Sequence, residues 1–326
     1  MAEVFADKAL LMNVAYRLLG TVSEAEDAVQ DAFVRWYSLA EGERERVSSP
    51  TGWLVTVTTR ICLDVLGSAR ARRERYVGEW LPEPVPQAAR WTSHSVTDHA
   101  TDPADRVSLD ESLGMALLVV LESMTPAERV SFTLHDVFGY PFAEIGAMVG
   151  RSEQACRRLA SSARGRVRQA RRARASASEH ALVVSRFKDA LVTGDLEALL
   201  AALDPEARVV PDGGGIVAAA IEPVVGAERI ATYLLAIREQ VPEMSLTVTA
   251  VNGRAGLVSR DGTGHPLAVM AVDVADGRIV RLWAIRNPEK LSAYATDALT
   301  QAGEPPSCCS RPTGATRGGQ HMDRDF

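Results

Sequence analysis

Nine arginines and a single carboxylate, Glu153, fall between Arg151 and Arg174, a local charge of +8 in a chain whose total is −6. Guanidinium groups at this density suit phosphate: each offers a planar fork of donors, and neutralising a polyanion releases its counterions. Gln154, Arg157, Arg158, Ser161 and Arg164 lie in the first turns of a helix that Ser152 can cap. From there, side chains reach base edges in a major groove. Arg166, Arg168, Arg171, Arg172 and Arg174 follow, where phosphate contact gives affinity without sequence information. Charge alone would equally suit a solvated helix or an arginine tail on RNA, so the preceding elements decide.

Those elements spell a helix-turn-helix. Thr125-Pro126-Ala127-Glu128 is a helix start: Thr125 caps, Pro126 sits where a missing N–H is harmless, and Glu128 closes a capping box. Val130, Leu134 and Val137 supply an apolar stripe that Gly139 ends. A short helix over 142–148 turns Ile145 and Met148 inward, and Gly150 makes the tight turn before Ser152. On the basic helix the spacing predicts Ala155, Leu159 and Ser162 on one face.

Upstream, about residues 3–76 read as helical. Leu11, Val14, Leu18 and Leu19 keep helical spacing up to Gly20. Ser23 with Glu26 forms a second capping box, opening a helix over 24–39 that buries Ala25, Ala28, Ala32 and Trp36 or their neighbours and turns Asp27, Gln30, Asp31 and Arg35 outward. Pro50-Thr51 starts a third helix, with Trp53, Leu54, Val57, Ile61 and Leu66 on its apolar side, ending in Arg70, Arg72, Arg73 and Arg75. The pattern is lost from Tyr76 to Arg106. Trp80-Leu81-Pro82-Glu83-Pro84 followed by Pro86 reads as an extended, proline-stiffened linker whose apolar content predicts that it docks on something. Asp102-Pro103 and an apolar periodicity from Leu109 to Leu121 restart helices.

A third region begins near Glu179, with one helix over about 180–203, then Asp204-Pro205 and a turn-rich Pro211-Asp212-Gly213-Gly214-Gly215. A helix opened by Gly226-Ala227-Glu228 runs to about Arg238. Strand-like runs follow at 245–251, 255–259, 266–274 and 279–285, with Asp276-Gly277 as a hairpin signal. Helices followed by an antiparallel sheet make an α+β module. Asp212, Glu228, Asp261, His265 and Asp273 are its acid or base candidates, and none forms a recognisable pair by spacing. The tail beyond Thr296 reads as disordered.

Length and composition bound the rest. A chain of 326 residues predicts two or three domains. No apolar run is long enough to span a bilayer, and the amphipathic start is no signal peptide, so a cytoplasmic setting is expected. Cys62 and Cys156 read as small core residues, and the adjacent Cys308-Cys309 as a neutral or damage-prone feature of the tail, the alternative being pairing with another chain. The six histidines, His94 and His99 among them, show no ligand spacing, so no metal and no cofactor are expected. Residues 1–150 carry net −9 and residues 181–300 net −4. An acidic chain with one basic element implies a protein partner besides nucleic acid.

The run from Ala15 to Gly20 through Glu24–Phe33 resembles region 2 of the extracytoplasmic-function (ECF) sigma factors, and Leu134–Tyr140 with Glu144-Ile145 resembles their region 4. Trp80-Leu81-Pro82-Glu83-Pro84, Asp212-Gly213-Gly214-Gly215 and Asn287-Pro288-Glu289-Lys290-Leu291 resemble the hallmark motifs of the SigJ-like subgroup, which carries a SnoaL-like (NTF2-like) domain. Glu289 stands where an Asp is commoner, and Val65 and Gly67 where relatives often carry basic residues. The resemblance implies a multidomain chain of two all-α sigma domains plus a C-terminal α+β NTF2-like, SnoaL-like cone. Its divisions are 1–76 (region 2), 77–107 (linker), 108–175 (region 4), 180–295 (SnoaL-like) and 296–326 (tail). It implies that Asp27, Gln30, Asp31 and Arg35 bind core RNA polymerase. Arg60, Asp64, Arg70, Arg72 and Arg73 would engage the −10 element of promoter DNA, and Gln154, Arg157, Arg158, Ser161 and Arg164 the −35 element. The three motifs would form an intramolecular regulatory contact, with no membrane partner and no catalysis. The alternative is an enzymatic or small-molecule-sensing domain fused to a DNA-binding regulator.

Overall fold

The structure, a computed structural model, describes residues 2–73, 76–86, 114–170 and 175–295, with side chains from Lys8 onward except at 69–73. The readings of Arg75, His94, His99, Asp102-Pro103, Arg171, Arg172, Arg174, Cys308-Cys309 and the tail from residue 296 lie outside the described residues, as does most of the linker.

The first block holds α1 (Ala2–Leu19), α2 (Val22–Ser38), a short α3 (Glu41–Arg44) and α4 (Pro50–Arg73). Gly20, at φ +81°, ends α1 and turns the chain within two residues. The expected Ser23–Glu26 capping box is corrected. The helix starts earlier, at Val22, and Thr21 Oγ1 donates to Glu24. The physical reason is an external cap: the Glu83 carboxylate, from the linker, accepts the Val22 N–H at 2.8 Å. Ala25, Ala28, Val29 and Ala32 are buried, and half-buried Trp36 lies 5.2 Å from Trp53. Small residues on that face let α1 and α4 approach closely.

The second block holds α5 (Met115–Glu122), α6 (Pro126–Phe132), α7 (Phe142–Val149) and α8 (Glu153–Ala170). Thr125 and Glu128 make the expected capping box, and Gly150 the expected left-handed turn. Helix α6 continues as a π-helical turn over Thr133–Val137, closed by the Phe138 N–H on the Thr133 carbonyl. The buried face of α8 is Cys156, Ala160, Ala163 and Val167, so the predicted Ala155–Leu159–Ser162 face is one position out. Close packing against α6 admits only small side chains at the contact, which moves the larger Leu159 to its edge.

The two blocks share one apolar core, in which Leu11, Leu18 and Leu54 join Phe132, Phe138 and Ile145. Buried Arg129 crosses the junction. It donates to the Leu18 carbonyl at 2.6 Å and pairs with Glu122 at 2.8 Å. Burial lowers its pKa to about 9, which still leaves it charged at neutral pH.

The C-terminal unit is α+β, as expected. Helices α9 (Ala177–Thr193), α10 (Leu196–Ala202) and α11 (Ala227–Gln240) accompany a six-stranded sheet of order β2-β1-β6-β5-β4-β3. Strands β3 (Ser245–Val251), β4 (Arg254–Arg260), β5 (Pro266–Ala275) and β6 (Arg278–Ile285) fall at the strand-like runs between turns. Two expectations are corrected. Gly194, at φ +78°, breaks the single helix over 180–203 into α9 and α10. The stretch read as turn-rich holds β1 (Leu203–Asp212), parallel to β6, and a two-residue β2 (Val224–Val225). A register shift between Leu203 and Arg208 accommodates Pro205, which otherwise argues against a central strand. The three helices cover one sheet face, over Leu257, Met270, Val272 and Leu282. The opposite face, with Val258, Val269, Ala271 and Trp283, is covered by Leu81 of the linker and Met115 of α5.

Candidate nucleic-acid interface and interdomain latch

Asp212 ends β1 with no exposed surface. Its Oδ1 accepts from the Tyr76 hydroxyl (2.5 Å) and the Gly214 N–H (3.1 Å). Its Oδ2 accepts from the Leu81 N–H (3.0 Å) and Lys290 Nζ (2.7 Å). Lys290 Nζ also donates to the Leu81 carbonyl at 2.6 Å, 4.3 Å from the Trp80 ring and 4.9 Å from the Tyr76 ring. Two acceptors and two aromatic faces thus hold one ammonium, so its buried charge is compensated on several sides. Asn287 shapes this site from behind. It caps the 3₁₀ turn Pro288–Lys290 by accepting the Glu289 N–H (3.0 Å), and its amide donates to the Tyr76 hydroxyl (2.9 Å). Gly214 is required to be glycine: its φ is +63°, and a Cβ would lie 2.5 Å from Asn287 Nδ2. Gly213 and Gly215 are similarly close, to Val217 and Val77. Leu291 is buried on the linker-covered sheet face. The three sequence motifs therefore meet at one ammonium group.

The rest of the linker is a staple between units. Residues 81–86, Pro82 and Pro84 included, are buried. The Tyr16 hydroxyl of α1 donates to the Glu83 carbonyl at 2.6 Å and accepts from the Asn252 amide at 3.0 Å. The Asn252 N–H donates to the Val85 carbonyl, and Pro86 bridges Val251 at the end of β3. Burial raises the Glu83 pKa to about 7, against the opposing pull of the Val22 N–H and Lys290. Tyr16, Tyr76 and Asn252 were not predicted as site residues. For Asn252 one signal was available, because Asn252-Gly253 is a hairpin dipeptide.

On α8, Gln154, Arg157, Arg158 and Ser161 are exposed, and Arg157 pairs with Glu153. Arg164 is held differently: its Nε donates to buried Asp136 at 2.5 Å. Arg60 is exposed but donates to the Met148 and Ala147 carbonyls at the end of α7, both at 3.2 Å. Carbonyls at a helix C-terminus attract a cation, which holds Arg60 there, whereas Arg164 is paired with a carboxylate. Asp64 is exposed, and Arg70, Arg72 and Arg73 lie in the last turns of α4, their side chains outside the described residues. Asp27, Gln30, Asp31 and Arg35 are all exposed on α2. Val34 and Tyr37, each 57 % exposed, lie on the same helix.

The acid and base candidates of the C-terminal unit do not converge. Asp212 belongs to the latch, Glu228 and His265 are exposed, and Asp261 closes its own turn with Thr263 and His265. Asp273 is half-buried beside Met115 and Trp283, lining a gap of about 30 Å³.

Residues 6–73 match the Sigma-70 region 2 family and residues 114–167 the Sigma-70, region 4 family. The chain is 38% identical to the ECF RNA polymerase sigma factor SigJ of Mycobacterium tuberculosis, over 90% of this chain and 93% of that one. It is 35% identical to a probable ECF RNA polymerase sigma factor, SigI, of the same species, over 88% and 92%. The crystal structure of M. tuberculosis SigJ superposes with a TM-score of 0.69 at 34% identity, covering 90% of this chain and 98% of that one. The likeness thus runs along nearly the whole length of these relatives, with both sigma-region families matched in this chain, and the chain belongs to the ECF sigma factors, which bind core RNA polymerase and promoter DNA to initiate transcription.

Proposed function

We propose that this sigma factor is regulated in cis, its C-terminal domain holding the two DNA-reading blocks in a closed form. Asp27, Gln30, Asp31 and Arg35 on α2 bind core polymerase. Arg60, Asp64, Arg70, Arg72 and Arg73 on α4 engage the −10 element, and Gln154, Arg157, Arg158 and Ser161 on α8 read the −35 element. The working divisions are 1–76, 77–107, 108–175 and 180–295. The observation that carries the regulatory reading is the capture of the Leu81 carbonyl and the Asp212 carboxylate by one buried lysine, Lys290.

Geometry supplies the second argument. Elements 25 base pairs apart are separated by about 85 Å of B-form DNA, at 3.4 Å per pair. Two blocks that share a core cannot span that distance, and Arg60 is meanwhile bonded to the end of α7. Promoter recognition therefore requires the blocks to separate, breaking the Arg129–Leu18 bond and exposing apolar surface, at the expense of polymerase and DNA binding energy. A latch on the linker adds to what must be overcome and so sets the closed population. The C-terminal domain acts in this reading by contact, without turnover.

The test is promoter-specific transcription by core polymerase with the full chain, Trp80→Ala, Asp212→Ala and the double variant. We expect output to rise in each single variant and the double to rise by less than their product. Independent, multiplicative effects would contradict a shared latch. Absence of promoter-specific transcripts from every form, and from a chain ending near residue 180, would contradict the assignment of the reading blocks. A small molecule retained by the purified full chain would favour the sensing alternative.

A further inference from the structure

The recognition helix α8 presents a smooth face to its support. Cys156, Ala160, Ala163 and Val167 are the buried contacts, and small residues interdigitate too little to fix a helix about its own axis. Polar contacts on both flanks make up the difference, among them an ion pair of Arg166 with Glu128 at 3.6 Å. Ser162 Oγ donates to Glu128 Oε1 at 2.8 Å, and Arg166 donates to the Ser123 carbonyl at 2.7 Å. On the other side, Arg164 Nε donates to Asp136 Oδ1 at 2.5 Å. At about 100° per residue, Arg164 lies roughly 70° to one side of the buried strip, and Ser162 and Arg166 about 110° to the other. The helix is gripped on both flanks.

Both carboxylates are built for this. Glu128 uses one oxygen, Oε2, to cap α6 through the Thr125 N–H and hydroxyl, which leaves Oε1 for α8. Asp136 is 3% exposed and sits in the π-helical turn, whose extra residue changes the direction of the side chains it carries. We infer that Asp136 and Glu128 are positioning residues for promoter recognition, fixing the rotation of α8 so that Gln154, Arg158 and Ser161 face base edges while Arg164 serves as a strut. Those three side chains lie opposite the buried strip, at the angle the two grips impose. The inference rests on the reading of α8 as the −35 reader.

The experiment is selection from a duplex library randomised at the −35 position, using core polymerase with the full chain. Asp136→Asn, Arg164→Gln, their double, Ser162→Ala and Arg158→Ala are compared. General loosening of the fold would weaken binding to all sequences alike, whereas a rotated helix changes which sequences win. We expect Asp136→Asn and Arg164→Gln each to reduce the ratio of preferred to average sequence at least tenfold, and the double variant to go no further. Ser162→Ala loosens the opposite flank without touching the buried pair, and we expect a reduction of a few fold. It decides the matter if Asp136→Asn fails to fold. Unchanged preference in Asp136→Asn, or in Ser162→Ala where that variant decides, overturns the inference if Arg158→Ala has lost it. Unchanged preference in Arg158→Ala as well overturns the reading of α8 itself.

Discussion

Lys290 shows how one side chain can make a contact between domains specific. Its ammonium is buried with Asp212 and the Leu81 carbonyl between two aromatic rings, so removing either charge leaves the other uncompensated. Lys290→Met is expected to lower the free energy of urea unfolding by about 3–5 kcal/mol. Lys290→Met with Asp212→Asn should lose less than the sum of the two, measured on the same full-length chain. Glu83 gives a prediction of opposite sign. Its folded pKa of about 7 stands above the ordinary 4.5, so the folded state holds a proton that the unfolded chain has released. That contribution is complete below about pH 4.5 and is lost as pH rises through 7. The melting temperature of the full chain should therefore fall between pH 5 and 8. Glu83→Gln, which keeps an acceptor for the Val22 N–H, should flatten this fall and be the more stable protein at pH 8. An unchanged pH profile in the variant would contradict the assignment. The docking of Trp80–Pro84 was legible because apolar residues in a proline-rich linker need a surface. Its partners were not: Tyr76 and Lys290 meet Asp212 and Leu81 across separations of 136 and 209 residues, and pairing at that range is decided by the fold.

Among the elements, the Thr125–Glu128 cap and the strand runs between turns were readable, and the misreadings have physical causes. Strand β1 carries prolines at 205 and 211 and was hidden by them, whereas β3, β4 and β5 are apolar-rich runs that each end at an Asn-Gly or Asp-Gly turn. The α8 face was misjudged because a close helix contact favours Cys and Ala over Leu. Two element-scale predictions follow from the geometry. Gly214→Ala must place a Cβ 2.5 Å from Asn287 Nδ2 in a left-handed backbone, and it should lower the unfolding free energy by more than about 1 kcal/mol. A stable Gly214→Ala protein with an intact latch would contradict the placement of the glycine loop. On α8, Arg158→Ala should reduce discrimination among −35 sequences by about 1–3 kcal/mol. Arg168→Ala, later on the same helix, should weaken all sequences alike and reduce the salt slope of binding by about one.

At the scale of the whole molecule, the chain is two promoter-reading blocks on one core, with a third unit fastened to the linker between them. Each block carries what its task requires, yet Arg60 is bonded to the end of α7 in the other block, and the shared core keeps the two blocks together. The acidic charge of residues 1–150 and 181–300 fits a protein that reaches DNA as part of a larger assembly, where polymerase binding supplies the energy of opening. In the proposed function, recognition of both promoter elements and persistence of this core exclude each other. The most direct measurement is therefore the distance between α4 and α8, from spin labels at Ser68→Cys and Gln169→Cys with Cys308 and Cys309 replaced by serine. It is taken in the free chain and in the chain bound to core polymerase and promoter DNA. The account predicts a single, narrowly distributed distance in the free chain and an increase of several tens of ångströms in the complex. The free-chain distance persisting in a transcribing complex would contradict it.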